Sequence, residues 1–223
     1  MAYKVEGLCL PVECLVMGLI ENNVYIIGDE AASAVIVVDP SCEPDRILAA
    51  LGDRKPDAIV ITHCHWDHVG AAAALREATG ALVIASSIDA PVITGEAKLA
   101  GSHRRVEPCP VDHTVEHGDI VQIGNMPWKV IGTPGHTPGG ICLYIDPQFG
   151  TNPEGSPILV SGDTLFCGTI GRTDFPEGSM DDMRVSLKRL AALPDETVVL
   201  PGHNGLTTIG AERQRVFAYF AAQ

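Results

Sequence analysis

The chain has 223 residues, a formal net charge of −13, 46% hydrophobic residues and 19% charged residues. This length accommodates one large domain or two small ones with a substantial core, and the composition is that of a globular protein rather than a disordered one. The acidic balance argues against a nucleic-acid binder and against docking on an anionic membrane, because both functions need a basic surface.

In the first half of the sequence, a run of strands is predicted before the first helix. Apolar or alternating runs predict strands at 8–16, 23–29, 34–40, 58–61 and 82–85. Residues 44–51 predict a short helix with one apolar face, and the run VGAAAALREATG predicts a second helix that ends at Gly80. The stretch 86–118 shows no clear pattern.

The second half repeats this order of strands followed by a helix. Strands are predicted at 119–123, 128–131, 140–145, 158–160 and 197–200, and helices at 181–192 and from about residue 210. Strand runs followed by helices in both halves predict a mixed α/β sandwich. Since we find no low-complexity linker and no internal repeat, we expect a single domain.

The N-terminus and the cysteines predict a cytoplasmic protein. Pro11 and Glu13 interrupt the apolar core that a signal peptide would need, and no run reaches the length of a membrane span. The seven cysteines include no C-x-x-C pair, so buried free thiols are expected rather than a disulfide framework.

Four polar clusters each follow directly on an apolar run. They are Thr62–His68, Gly132–Gly139, Ser161–Thr164 and Pro201–Asn204. If the preceding strands share a direction in their sheets, all four clusters meet at one rim of the scaffold. Loops at such a rim are where functional sites are usually built.

The first cluster contains the pattern H-x-H-x-D-H, which predicts metal binding. In an extended segment, residues i and i+2 point the same way, so His63 and His65 can hold one cation. Asp67 and His68 fall at the turn into the next helix and suit a second cation. Imidazole and carboxylate without thiolate form a ligand set for Zn, Fe or Mn.

Several of these residues also have ordinary structural interpretations. Asp67 could cap the helix that follows it, and His136 or His203 taken alone could be a hydrogen-bonded polar residue. His113 and His117 have i, i+4 spacing, but neighbouring glycine and β-branched residues argue against a helix there, so we do not expect a metal site.

Three further features are interpreted as structural. The basic triplet His103–Arg105 predicts a solvated face, with contact to an anionic substrate as the alternative. Trp66 is interpreted as a packing residue behind the metal ligands rather than as a platform for substrate. Cys64 is interpreted as buried, because it alternates away from its two histidine neighbours.

The motifs THCHWDH, TPGHTPG, SGDTLF and PGHN, in this order, resemble those of the metallo-β-lactamase fold superfamily. Within it, the runs LFCGTIGRTDFPEG and LPDETVVLPGHN most resemble glyoxalase II (hydroxyacylglutathione hydrolase) and its short bacterial relatives. The resemblance implies a four-layer αββα sandwich with a dinuclear metal centre at one edge. By position, it assigns His63, His65 and His136 to the first metal, Asp67, His68 and His203 to the second, and Asp163 to a bridge between them.

The resemblance also implies an activity, which is metal-dependent hydrolysis of a thioester. Hydroxide held between the metals would attack the thioester carbonyl, while Asp67 would orient it and accept its proton. The implied cofactors are two divalent metal ions, with Zn as the first choice and Fe or Mn as alternatives. The expected partner is a small-molecule thioester, with a glutathione thioester as the candidate, and neither nucleic acid nor a membrane.

The sequence departs from glyoxalase II at its C-terminal end. We expect residues 1–223 to form one hydrolase domain without the C-terminal helical glutathione-binding region, because only 20 residues follow His203. Asn204 stands near the position where the family has a tyrosine. Arg172 stands where the family places a basic glutathione contact, and is therefore predicted to bind substrate.

Two alternative functions remain open from the sequence. One is a persulfide dioxygenase-like enzyme with a mononuclear Fe(II) held by His63, His136 and Asp163. The other is a non-catalytic metal-binding protein on the same scaffold. The number of metals per chain and the reaction catalysed distinguish these three possibilities.

Overall fold

The computed structural model describes residues 1–29, 31–32, 34–99 and 106–221. Its first sheet has seven strands that are neighbours in chain order. They are β1 (Ala2–Val5), β2 (Val12–Met17), β3 (Asn22–Asp29), β4 (Ala34–Val38), β5 (Ala58–Val60), β6 (Leu82–Ser86) and β7 (His113–Val115). Strands β1 to β4 pair antiparallel, whereas β4 to β7 pair parallel.

The second sheet has six strands, and a two-stranded hairpin stands beside it. These strands are β8 (Ile120–Ile123), β9 (Met126–Gly132), β10 (Ile141–Ile145), β11 (Ile158–Gly162), β12 (Leu165–Phe166), β13 (Thr169–Ile170), β14 (Val198–Pro201) and β15 (Thr207–Thr208). The order across the sheet is β15-β14-β11-β10-β9-β8, and β12 pairs with β13 in the hairpin. The pair β11–β14 is parallel and the other pairs are antiparallel.

Six α-helices are present in the described residues. They are α1 (Pro44–Leu51), α2 (Trp66–Val69), α3 (Ala72–Thr79), α4 (Ala90–Ile93), α5 (Met180–Leu190) and α6 (Ile209–Glu212). Helix α6 continues as a π-helical segment over Arg213–Ala221, and a short 3-10 turn covers Pro147–Phe149. Among the described residues, no helix is long and apolar enough to cross a membrane.

The apolar side chains form three layers of core. The middle layer lies between the two sheets and includes Tyr25 and Ile36 of the first sheet and Trp128 and Leu143 of the second. A second cluster joins the outer face of the first sheet to α1 and α3. A third joins the outer face of the second sheet to α5, α6 and the π-helical segment. This is the predicted single-domain αββα sandwich, and the prediction of the fold class is confirmed.

The helix predicted over VGAAAALREATG is confirmed for Ala72–Thr79, which form α3, but it begins three residues later than predicted. Val69 ends the separate helix α2, and Gly70 and Ala71 lie between the two helices. The backbone N–H of Ala71 donates to the carbonyl oxygen of Pro40 at 2.8 Å, so the chain here bonds to the loop after β4 and not to its own preceding turn. The predicted end at Gly80 is confirmed, because Gly80 has a left-handed backbone and its N–H donates to the carbonyl oxygen of Arg76.

Short elements account for most of the remaining differences. The sequence predicts none of β1, β12, β13 and β15, which have two to four residues and are too short to show an alternating pattern. The stretch without a clear pattern contains α4 and β7, and the basic triplet His103–Arg105 lies outside the described residues. All seven cysteines are free thiols, of which five are buried while Cys42 is half-buried and Cys167 is exposed.

Candidate metal centre

The seven predicted ligands lie together at one edge of the sandwich. Strand β5 ends two residues before the first polar cluster, and β9, β11 and β14 end within the first two residues of the other three clusters. Because β11 and β14 run parallel and are hydrogen-bonded neighbours, Asp163 and His203 leave the second sheet side by side. The backbone N–H of Ile141 donates to the carbonyl oxygen of Thr62, which joins that sheet to the cluster after β5.

Three histidines form the first group. His63, His65 and His136 are all buried, and each offers one ring nitrogen within 4.8 Å of the others. Nδ1 of His65 lies 2.8 Å from Nε2 of His136. His65 and His136 come from loops 71 residues apart in sequence, so the group exists only because the two sheets meet here.

The second group consists of Asp67, His68 and His203. Oδ2 of Asp67 lies 3.3 Å from Nε2 of His203 and 3.5 Å from Nε2 of His68. Asp67 is inside α2 and does not cap it, since the N-terminal cap position is His65 and no side chain caps that helix. The interpretation of Asp67 as a helix cap is therefore wrong.

Asp163 lies between the two groups. Its Oδ2 is 3.4 Å from Nε2 of His136 and 3.6 Å from Nε2 of His203, and its Oδ1 is 3.4 Å from Nε2 of His68. One carboxylate thus contacts a histidine of the first group and both histidines of the second. This is the placement that a carboxylate shared by two cations requires.

Each of the five histidines has its other ring nitrogen next to an oxygen. Two of these oxygens belong to carboxylates: His65 Nε2 lies 3.2 Å from Glu177 Oε1, and His68 Nδ1 lies 2.9 Å from Asp39 Oδ2. His63 Nδ1 lies 3.0 Å from the hydroxyl oxygen of Thr62. The last two are backbone carbonyl oxygens: that of Arg172 is 2.7 Å from His136 Nδ1, and that of Ile20 is 3.1 Å from His203 Nδ1. An oxygen acceptor holds the proton on the outer nitrogen and leaves the inner nitrogen with its lone pair. This arrangement would suit all five rings as metal ligands.

The first group is poor in positive charge. Burial, together with the neighbouring histidines, holds the pKa of His63 well below its usual value. Burial also lowers the pKa of His136. Both rings are therefore neutral at neutral pH, as ligands must be. Nε2 of His63 is buried and has no hydrogen-bond partner among the described residues, so a cation at this point would satisfy a lone pair that is otherwise left unpaired.

The negative charge of the cluster lies in and around the second group. Burial opposes the protonation of His68, but the charges of Asp163 and Asp39 outweigh it and raise the His68 pKa well above its usual value. Burial likewise opposes the ionisation of Asp67, yet the hydrogen bond from His203 and the charge of His68 lower its pKa. Asp39, Asp67 and Asp163 are all buried, and with neutral histidines two divalent cations would offset their three negative charges and leave one positive charge at the site.

Two glycines allow the loops to pack this closely. A Cβ at Gly202 would collide with Oδ1 of Asp163, and one at Gly171 would collide with the carbonyl oxygen of Asp163. A Cβ at Gly171 would also lie 3.2 Å from Nδ1 of His136. Any larger residue at either position would displace a side chain of the cluster.

Two carboxylates beneath the cluster were not predicted from the sequence. Asp39 accepts hydrogen bonds from the backbone N–H of Thr62 at 2.7 Å and from its hydroxyl at 2.6 Å. Asp89 accepts from the backbone N–H of Cys64 at 2.9 Å and from the hydroxyl of Thr137 at 3.0 Å, and so joins the loops of the first group. Asp39 follows an apolar strand directly, so the reasoning applied to the four polar clusters would have found it.

Two other residues near the cluster were also missed. Nδ2 of Asn22 donates to Oδ2 of Asp67 at 3.1 Å, and Glu177 contacts His65 as described above. The pair His113 and His117 belongs to no group of candidate ligands among the described residues. His117 instead accepts a hydrogen bond from the backbone N–H of Gly132 at 3.2 Å.

A cavity of about 710 Å³ opens over the cluster. Apart from the candidate ligands, most of its wall is apolar and comes from Ile20, Trp66, Leu99, Phe166, Ile170, Phe175 and Pro176. The interpretation of Trp66 as a residue behind the ligands is therefore wrong, because it forms part of this wall. Cys64 is buried as expected.

Arg172 lies in the cavity wall, as a substrate contact would. Its guanidinium stands 4.2 Å from the ring centre of Phe175 and forms two hydrogen bonds with Asp174, at 2.8 and 2.9 Å. Arg172 and Asp174 are both largely exposed. The side chain is thus at the mouth of the cavity, while its carbonyl oxygen supports His136.

Comparison with known proteins gives the family. The model of the metallo-beta-lactamase superfamily matches residues 17–203. The chain belongs to this superfamily. It is 31% identical to a probable metallo-hydrolase, YqgX of Bacillus subtilis, over 89% of this chain and 92% of that one. It is 37% identical to a hydroxyacylglutathione hydrolase of Rhodobacter capsulatus, over 86% of this chain but only 64% of that enzyme.

A solved structure adds information about metals. The structure of TTHA1623 in a di-iron-bound form is 33% identical, has a TM-score of 0.74, and is matched over 91% of this chain and 97% of that one. The resemblance to the metallo-β-lactamase superfamily predicted from the motifs is thereby confirmed. Metal binding by His and Asp is supported by the family, by this neighbour and by the grouped side chains.

Proposed function

We propose that this protein is a metal-dependent thioester hydrolase of the hydroxyacylglutathione hydrolase type. The observation that carries the proposal is that the second ligand group is complete and shares Asp163 with the first. Hydrolysis at a two-metal site needs both groups, whereas a mononuclear Fe(II) site would need only one. The 37% identical hydroxyacylglutathione hydrolase supports the choice of a thioester.

The residues of the cluster divide into two ligand sets. His63, His65 and His136 would hold the first ion, and Asp67, His68 and His203 would hold the second. Asp163 would bind both ions. Zn is the first choice and Fe or Mn are alternatives, since nitrogen and oxygen ligands suit all three metals. The di-iron-bound neighbour supports iron among the alternatives. When bound, such a pair supplies a water of lowered pKa and polarises a carbonyl.

Asp67 would position the attacking water and accept its proton. Its Oδ2 is held by Asn22 and by His203, and its lowered pKa keeps the carboxylate ionised at neutral pH. Asp67 also lines the cavity, where the attacking water would have to lie. The leaving thiolate has a parent pKa of about 8.5 and can depart without a strong general acid.

The cavity would hold the two arms of the thioester. Phe175 lies beside the first group, with its ring centre 5.6 Å from that of His65. Phe166 lies beside the second group, 6.0 Å from His203. Arg172 would bind a carboxylate of a glutathione arm in place of Asp174. This exchange costs little because an ion pair exposed to water contributes little to stability.

The test is a comparison of two reactions with the purified, metal-loaded protein. We expect thiol release from S-lactoylglutathione at the same rate with and without oxygen. Oxygen uptake on glutathione persulfide, with one iron per chain and no thioester cleavage, would favour the dioxygenase instead. Two bound metals without turnover of either substrate would favour a non-catalytic metal-binding protein.

A further inference from the structure

Two of the five histidines of the cluster contact a carboxylate through their outer nitrogen, and there is one in each group. His68 of the second group contacts Asp39, and His65 of the first group contacts Glu177. The other three outer nitrogens contact a hydroxyl or a backbone carbonyl oxygen. A carboxylate is the strongest of these acceptors, and it raises the basicity of the imidazole that it supports.

We propose that Glu177 is the positioning residue of the first metal site, since it holds His65 with Nδ1 directed at the metal. The inference rests on the metal binding in the proposed function and is independent of the thioester reaction. Glu177 binds no metal itself in this assignment. It accepts the Nε2–H of His65 and thereby fixes both the tautomer and the tilt of the ring.

The contact between Glu177 and His65 is sheltered from water. Both side chains are about 10% exposed, and the distance from Oε1 to Nε2 is 3.2 Å. Oε2 of Glu177 is buried without a hydrogen-bond partner among the described residues, so no other group there competes for this carboxylate. Little solvent reaches the pair, and its hydrogen bond is therefore weakened less by water than one at the surface.

The backbone around Glu177 is tied to the first group as well. The N–H of Gly178 donates to the carbonyl oxygen of Phe175 at 2.8 Å and closes a turn that contains Glu177. The N–H of Ser179 donates to the carbonyl oxygen of Gly135, next to His136, also at 2.8 Å. Glu177 is thus anchored to the loop that carries another ligand of the same metal, and the geometry of His65 relative to His136 is fixed from both sides.

Metal titration of the metal-free protein tests this role. Zn²⁺ affinity is measured by chelator competition in the wild type, in Glu177→Ala, in Glu177→Gln and in Asp174→Ala. Asp174 is the control, because it is an exposed acid of the same segment whose hydrogen bonds go to Arg172. We expect Glu177→Ala to weaken one of the two metal sites about 10–100-fold. We expect Glu177→Gln, which keeps an oxygen acceptor, to recover most of that loss.

The ¹⁵N NMR spectrum of the His65 ring gives a readout that does not depend on metal or activity. We expect the Nε2–H tautomer in the wild type and a mixture of tautomers in Glu177→Ala. Unchanged tautomer and unchanged affinity in Glu177→Ala would overturn the inference while leaving the proposed function intact. A wild-type protein that binds no metal would overturn both. Circular dichroism melts of the metal-free variants separate these effects from a loss of folding.

Discussion

Nδ1 of His68 lies 2.9 Å from Oδ2 of Asp39, and both side chains are almost fully buried. The same carboxylate accepts two hydrogen bonds from Thr62, one from its backbone N–H and one from its hydroxyl. Since the Thr62 hydroxyl donates to Asp39, it is left to accept the Nδ1–H of His63. Asp39 therefore orients one histidine directly and a second through Thr62.

Removing the Asp39 carboxylate should reduce stability even without metal. Asp39→Ala leaves the N–H of Thr62 and the ring of His68 without their buried acceptor, and breaking a buried pair in this way costs about 3–5 kcal/mol. Urea denaturation in the presence of chelator measures this free energy of unfolding. Asp53→Ala, at an exposed turn, is the control and should stay within about 0.5 kcal/mol of the wild type. Equal stability of the two variants would contradict the role of Asp39.

Asp67 should matter more for turnover than for substrate binding. Asp67→Ala removes the proton acceptor and one ligand of the second site, so we expect kcat on a thioester to fall by at least about 100-fold. KM should change much less, because the apolar wall of the cavity is left in place. Steady-state kinetics with metal analysis measures both quantities. An unchanged kcat in Asp67→Ala would rule out its assigned role.

Gly171 should be intolerant of any side chain. Gly171→Ala places a Cβ against the carbonyl oxygen of Asp163 and close to Nδ1 of His136, so we expect loss of bound metal. Gly205→Ala is the matched control, because a Cβ there has no heavy atom within 4 Å. Metal content of the two purified variants gives the answer. Full metal content in Gly171→Ala would show that the loop can move away at little cost.

Phe175 should contribute to substrate affinity. Phe175→Ala removes an aromatic wall beside the first group, and we expect KM to rise about tenfold, or about 1.4 kcal/mol, for thioesters with a large apolar arm. The effect on an acetyl thioester should be smaller. Phe149→Ala is the control, since Phe149 is half-exposed and is not part of the cavity wall. KM values that are equal for both variants would contradict a substrate site in this cavity.

The sequence was sufficient for the parts of the site that depend on local order. Two local features predicted which residues meet. One is the alternation of His63 and His65 in an extended segment, and the other is the position of each polar cluster after an apolar strand. The break between α2 and α3 was not predictable, because it depends on a hydrogen bond from Ala71 to Pro40 in another loop. Glu177 was missed for the same reason, since its partner His65 is 112 residues away and only the folded chain brings them together.

The dependence of activity on the number of bound metals tests the central claim most directly. Metal-free protein is titrated with Zn²⁺, and separately with Fe²⁺ without oxygen, while thiol release from S-lactoylglutathione is followed. Because the second ligand group is complete and contains Asp67, we predict that hydrolysis appears mainly with the second equivalent of metal per chain. Full hydrolytic activity at one equivalent, or none at two, would contradict the two-metal thioester hydrolase.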